Sequence, residues 1–321
     1  MKKKHHFSPS DFVPLKKDEK KTMPPNKETK KHKTPKKHTG HTKHQKPTSE
    51  KSETSEKNNP FSKNNLKLGK PKKQAKPAIE KEDDAKMPLN KYIAHCGICS
   101  RRDAIELIKN KKIKVNQIVE VNPAVRVNEN DHILYDNKRI FPQKELLYFL
   151  LNKPKNCICT TSDPENRITV LDLFKEYESY RLFPVGRLDR NTTGLIIITN
   201  DGELAQKLSH PKFNIKKVYQ VTLDKNLEKI DFEKIIKGLN LEDGLAEVDE
   251  IAYINPKDKR EIGLQIHSGK NRIVRRIFEH LGYQVKALDR VMYAGLTKKN
   301  IQRGTFRPLE KKELIFLKHF K

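Results

Sequence analysis

The chain has 321 residues, 68 Lys and Arg against 41 Asp and Glu, and a formal charge of +27, which creates a field that favours a polyanion such as RNA, DNA or an acidic membrane. No run of about 18 apolar residues occurs, and Met1-Lys2-Lys3-Lys4 leads into His5-His6 rather than an apolar leader, so the expectation is a soluble, cytoplasmic protein with no membrane association. Four cysteines, Cys96, Cys99, Cys157 and Cys159, are too few and too closely paired to read as a disulfide framework in a chain of this length.

Residues 1–86 contain 25 Lys, no Arg and 11 acidic residues, with many Pro, Thr, Ser and Asn and almost no apolar periodicity. Such a segment buries too little surface to offset the ordering of its backbone, and disorder is predicted for it. His5, His6, His32, His38, His41 and His44 are scattered through it without fixed ligand spacing, so loose attraction to phosphate is a better reading than a metal site.

Between Leu89 and Ile140 a small α/β unit can be drawn. Leu89, Tyr92, Ile93 and Cys96 recur at helical spacing, and Gly97 follows as a C-terminal stop. Ser100-Arg101-Arg102-Asp103 has the form of a capping box, and Ile105 and Ile108 share the inner face of the helix it opens. Ile113 to Val115 and Ile118-Val119, joined by Asn116-Gln117, read as a hairpin. Arg101, Arg102, Lys109, Lys111, Lys112 and Lys114 are left on helix starts and loops, where they suit phosphate contacts. Cys96 and Cys99 with Cys157 and Cys159 lack a usual zinc-finger spacing and read as small apolar residues; no metal is expected.

From Glu145 the pattern is that of a larger α+β domain. Leu146 to Leu151, Leu195 to Thr199, Lys217 to Leu223 and Ile262 to Ile266 read as strands, and Glu203 to Ser209 as a short helix stopped by Pro211. Asn271 to Leu281 reads as an amphipathic helix closed by Gly282. Its inner stripe is Ile273, Val274, Ile277 and Leu281, and Arg272, Arg275 and Arg276 crowd its first turns. Gly186 to Gly194 is a polar, Gly-bounded turn that feeds the apolar run Leu195 to Thr199 and sets one carboxylate, Asp189, at a strand edge. Taken alone, the turn reads more readily as an ordinary surface loop with Asp189 bonded to nearby backbone.

Two resemblances narrow these readings. The unit around Ser100-Arg101-Arg102 and Val115-Asn116 resembles the RNA-binding module named after ribosomal protein S-four, with Gln117 where that family usually has Gly. The chain from about residue 87 to about residue 310 resembles pseudouridine synthases of the RsuA/RluB type. The matching pieces, in the family's order, are Gly186-Arg187-Leu188-Asp189 with Thr193-Gly194-Leu195, Thr199-Asn200-Asp201-Gly202, His210-Pro211, Lys217-Val218-Tyr219 and Gly269-Lys270-Asn271-Arg272-Ile273-Val274-Arg275-Arg276. Lys270 stands where the family commonly has Arg, and Ile273 where it has a longer polar side chain.

After the tail (1–86) that composition predicts to be disordered, the resemblance implies the S-four-like module (87–143) and a catalytic domain (144–321) built on a mixed, mainly antiparallel sheet. It implies a monomeric isomerase that converts a specific uridine of ribosomal RNA, free or in a pre-ribosomal particle, to pseudouridine without a cofactor. Asp189 takes the catalytic role as nucleophile, base or electrostatic support, with no choice among the three. Arg275 would hold that carboxylate ionised and oriented, and Tyr219 would stack on the displaced base. The same family likeness leaves Arg187, Lys216, Lys217, Lys270 and Arg272 as backbone contacts. Gly238 to Gly244 most resembles the large-subunit branch; a small-subunit or transfer RNA target, or a non-catalytic ribosome-assembly protein, stays open. A DNA-binding protein is disfavoured by the lack of helix-turn-helix or finger spacing.

Overall fold

The computed structural model describes residues 86–319, so the disorder predicted for the tail and its histidine cluster lies outside the described residues, apart from Lys86. Met87–Pro88 (β1) turns at once into Leu89–His95 (α1), which buries Leu89, Tyr92 and Ile93 on one stripe. Gly97, at φ +80°, follows the C-cap as predicted. Ser100 caps Arg101–Lys109 (α2) with a complete capping box: its hydroxyl accepts from the Asp103 N–H, and the Asp103 carboxylate accepts from the Ser100 N–H. Ala104 and Ile108, four residues apart, form the fully buried stripe of α2, and this leaves Ile105 only half-buried beside it.

Ile113–Val115 (β2) and Ile118–Val119 (β3) make the expected hairpin. Arg126–Val127 (β4) pairs with β1, while Ile133–Tyr135 (β5) and Lys138–Arg139 (β6) extend the hairpin into a sheet of order β3-β2-β5-β6. The turn residues Asn116 and Gln117 have φ of +50° and +70°. Both central positions of a two-residue loop are then left-handed, a conformation that glycine adopts without steric cost and glutamine does not. Gln117→Gly is therefore expected to raise stability by about 0.5–1 kcal/mol, seen as a higher denaturant midpoint with an unchanged slope. A lower midpoint would count against strain at this turn.

The larger part is a sheet that collects Tyr148–Lys153 (β7), Phe183–Pro184 (β8), Thr193–Thr199 (β9), Lys217–Leu223 (β10), Glu250–Asn255 (β13), Asp258–Ile266 (β14), Val285–Tyr293 (β15), Leu296–Thr297 (β16) and Phe306–Pro308 (β17). Its main order is β13-β14-β10-β15-β9-β7-β17. Every pairing is antiparallel except β15 with β9, which are parallel through Asp289 opposite Thr193 and Arg290 opposite Gly194. The remaining elements are Gly202–Ser209 (α3), Lys229–Lys237 (α4), a separate hairpin of Leu239–Leu241 (β11) and Gly244–Ala246 (β12), Ile273–His280 (α5) and Lys311–Lys318 (α6).

All seven residues of β9 are buried because both faces of the sheet are covered there. Ile196 and Ile198 pack with Phe149 and Phe174 and with Ile277 of α5, while Leu195 and Ile197 meet Leu204 and Leu208 of α3 and Leu317 of α6. That two-sided cover explains a continuous apolar run in place of strand alternation. Gly194 is required where β9 runs beside β15: a Cβ there would stand 2.2 Å from the Arg290 carbonyl oxygen, and its φ is +107°. Among the described residues no helix is long and apolar enough to cross a membrane. The small module is tied to the large one by a Lys91–Glu203 ion pair (3.0 Å) and by Gln143, whose side-chain amide donates to the Ser179 carbonyl (3.3 Å).

Candidate active site

The turn before β9 is held from beneath. Lys153, at the end of β7, is fully buried, and its ammonium donates to the carbonyls of Pro154 (3.1 Å), Cys157 (2.6 Å) and Arg190 (3.3 Å). Burial pulls this amine below its ordinary range, opposed in part by the neighbouring Cys159, Cys157 and Asp189. The Asn156 N–H also donates to Arg190 O (3.0 Å), and the Leu188 N–H meets Cys159 Sγ (3.4 Å). With Leu188 buried and the Thr192 N–H donating to Asp189 O, the backbone of Asp189 is pinned on both sides while its carboxylate stays about one-third exposed, at 36%.

That carboxylate faces two arginines. Arg275 Nε and Arg272 Nη1 each stand 3.6 Å from Asp189 Oδ2, close enough for ion pairing but longer than a hydrogen bond. Arg275 is on α5 with its side chain only 11% exposed; Nη1 donates to the Val285 carbonyl (3.1 Å), and Nε is buried without a hydrogen-bond partner. One branch of its planar fork is thus anchored and the other is left for the carboxylate. Arg272 was expected to meet RNA backbone, yet it too lies at Asp189. The helix begins at Ile273, later than predicted, because Arg272 adopts a left-handed φ of +46° that turns its exposed side chain across the cleft mouth.

The wall of the cleft comes from β10 and β15. The register sets Tyr219 opposite Arg290 and Lys217 opposite Tyr293, so these side chains share a face of the sheet. Tyr219 is 8% exposed, belongs to the main core and lines the cleft together with Leu188, Ile273, Val274 and Leu288. Tyr219 is thus at once a member of the core and a part of the cavity wall.

Two lysines expected on RNA backbone turn inward. Lys217 Nζ donates to the carbonyls of His267 (2.6 Å) and Ser268 (3.3 Å). Burial, and then the nearby Arg290, bring this amine down to about 8. Because the unfolded chain keeps its proton up to the ordinary 10.5, it binds more protons than the folded chain between about 8 and 10.5, and stability from this group rises with pH across that window. Lys217→Met should flatten that rise when denaturant midpoints are compared across the window; parallel curves would show that Lys217 titrates normally. Lys270 Nζ donates to Asp243 O (2.8 Å) and Leu245 O (3.2 Å) of the β11–β12 hairpin, where Arg276 also grips the Asp243 carboxylate with two 2.8 Å bonds. Sequence shows their charge but not that hairpin carbonyls would claim Lys270. Arg187 and Lys216 are exposed, as are Arg101, Arg102, Lys109 and Lys112; Lys114 is half-buried and donates to Asn137 Oδ1 (2.9 Å).

Three functional-looking side chains escaped sequence reading: Lys153, Arg290 and Asp289. Asn152-Lys153-Pro154 looks like a strand end, and only the pairing of β7 with β9 carries its lysine into the core. Cys157 and Cys159 are buried, Cys96 and Cys99 are half-buried against the small module's core, and burial pushes the Cys157 thiol up to about 11.

Residues 147–280 match the RNA pseudouridylate synthase family and residues 87–133 the S4 domain. The chain is 39% identical over 229 residues to ribosomal large subunit pseudouridine synthase B of Bacillus subtilis, covering 70% of this chain and 93% of that protein. It is 35% identical to the enzyme of the same name from Buchnera aphidicola, covering 71% and 96%. Among solved structures it resembles a pseudouridylate synthase with a TM-score of 0.52 and 28% identity, covering 72% of this chain and 99% of that one.

Proposed function

We propose that this chain, which belongs to the pseudouridine synthases of the RsuA/RluB type and is an isomerase, acts on one uridine of large-subunit ribosomal RNA. The observation that carries the reading is the Asp189 carboxylate at a cleft mouth, with two arginines 3.6 Å from one oxygen and Tyr219 in the wall. Breaking C1′–N1, turning the uracil and joining C1′ to C5 moves no net electrons, so a positioned carboxylate and an enclosing pocket are sufficient in kind. Asp189 acts at the ribose as nucleophile, base at C2′ or counter-charge, Arg275 orients it, and Tyr219 stacks on the turned base.

The uridine must leave its stack to reach this depth, which favours a hairpin loop or single strand. Residues 87–143 serve as the RNA-docking module and residues 144–321 as the catalytic domain; the exposed Arg101, Arg102, Lys109 and Lys112 meet phosphate, and Arg187 and Lys216 do so at the cleft. The chain works as a cytoplasmic monomer. Mapping pseudouridine in ribosomal RNA from cells with and without the gene tests the target: one large-subunit site should vanish and return on complementation. Loss of a small-subunit or transfer RNA site instead would redirect the reading.

A further inference from the structure

Arg290 stands deep in the cleft wall and is 3% exposed. Its Nε donates to the Leu195 carbonyl (2.7 Å), its guanidinium carbon lies 4.3 Å from the Tyr293 ring centroid, and its Nη2 is buried with no hydrogen-bond partner. A buried cationic N–H without an acceptor is costly, and native structures rarely keep one unless something else satisfies it. The neighbouring carboxylate does not: Asp289 points to the other face of β15, where it takes Lys298 (2.5 Å), Arg303 (3.1 Å) and Thr193 (2.9 Å). Burial would raise the Asp289 carboxyl, but Lys298 and Arg303 hold it below its ordinary range, so its charge is already matched. Arg290 therefore lines the cavity with one N–H unsatisfied and, among the described residues, no carboxylate paired to it.

The occupant that fits is the base. Arg290 lies directly across the β10–β15 ladder from the buried Tyr219, away from the exposed rim that carries Arg187 and Arg272. When C1′–N1 breaks, the bonding pair stays on N1 and spreads onto the uracil O2 and O4, whichever of its three roles Asp189 takes. The negative charge is discharged when C5 bonds to C1′; the C5 proton is then lost to a base and N1 takes one up, so the product base is neutral. A fixed donor aimed at charge that grows only during reaction is a recurrent source of rate.

We propose that Arg290 is a catalytic residue of the isomerisation, donating to a uracil carbonyl oxygen and stabilising the anionic base between bond cleavage and re-attachment. This rests on the pseudouridine-synthase reading of the cleft. The test uses the full chain and an RNA on which the wild type makes pseudouridine; absence of any wild-type product would sink that reading instead. Arg290→Gln should lower the single-turnover rate at saturating RNA by roughly a hundredfold with RNA affinity within about threefold. Added guanidinium should restore roughly tenfold of the loss in Arg290→Ala. A wild-type rate in folded Arg290→Gln, or a loss confined to RNA affinity, would overturn the proposal, as would an Arg290→Ala defect that guanidinium leaves untouched. Should the variants not fold, RNA carrying 2-thio- or 4-thiouridine at the target decides. Sulfur is the poorer acceptor, so one substitution should slow the wild type, and full speed with both would also overturn it.

Discussion

Asp189→Asn is expected to leave a folded protein that binds RNA and forms no measurable pseudouridine. The amide keeps the volume of the carboxylate but can neither attack C1′, accept a proton from C2′ nor balance a cationic sugar, so all three possible roles fail together; a loss of at least about 10³-fold is the scale of such a group. Folding should be nearly unaffected, because the backbone of the turn is held by Lys153, Asn156 and Cys159 and the Asp189 side chain makes contacts no closer than 3.6 Å to its two arginines. RNA affinity should hold or rise, since the change removes a negative charge from a cationic cleft. The measurements are single-turnover pseudouridine formation and RNA binding on the same preparation. Turnover within tenfold of wild type would remove Asp189 from the chemistry.

The second large effect is expected at Arg275. Its fork spans the Val285 carbonyl on one side (3.1 Å) and Asp189 on the other (3.6 Å), and a lysine ammonium has no rigid second branch with which to span both. Arg275→Lys should therefore lose roughly a hundredfold in rate at saturating RNA while keeping affinity, because charge is retained and orientation is not. Lys270→Arg is the contrast. Lys270 bonds hairpin carbonyls away from the carboxylate, and arginine can still donate to them, so the rate should change by no more than about threefold. Equal losses in the two variants would mean that Arg275 is one of several interchangeable cations. Arg272, at the same distance from Asp189 but exposed, could share the orienting task, and a weak Arg275→Lys phenotype would be traced there first.

What was legible in the sequence was local. The capping box at Ser100, the glycine stop at Gly97 and the apolar run of β9 each depend on neighbours within one or two turns and formed as read, while α5 kept Ile273, Val274 and Ile277 on its stripe but buried Phe278 where Leu281 was expected. Asp189 and Arg275 were read as partners because separate motifs occurred in one order, and the structure brings the two together from distant parts of the chain. What was not legible was direction. Lys217, Lys270 and Arg272 were read as cations for RNA because composition reports charge, whereas their aim is set by a strand register, a hairpin and one left-handed residue. Lys153 and Arg290 were missed for the converse reason: charged residues in strands read as solvent-facing until carbonyls from distant loops are seen around them. The strand β15 was hidden by the same residues, since Lys286, Asp289 and Arg290 break its apolar alternation.

The ammonium of Lys153 under the catalytic turn has a consequence for motion. Surface turns usually open on their own, at little cost, and exchange their amide hydrogens from such local openings. Here lifting the turn means stripping an embedded cation of the Arg190 carbonyl that helps solvate it, with the strand β7 attached behind. The turn should thus exchange only as slowly as the central sheet, behaving as part of the most protected cooperative unit instead of as a lid. A receptor this stiff cannot reshape itself around a stacked nucleotide, so the conformational work of the encounter falls on the RNA. Among otherwise similar loops, the one whose uridine is already loosely held should be modified first.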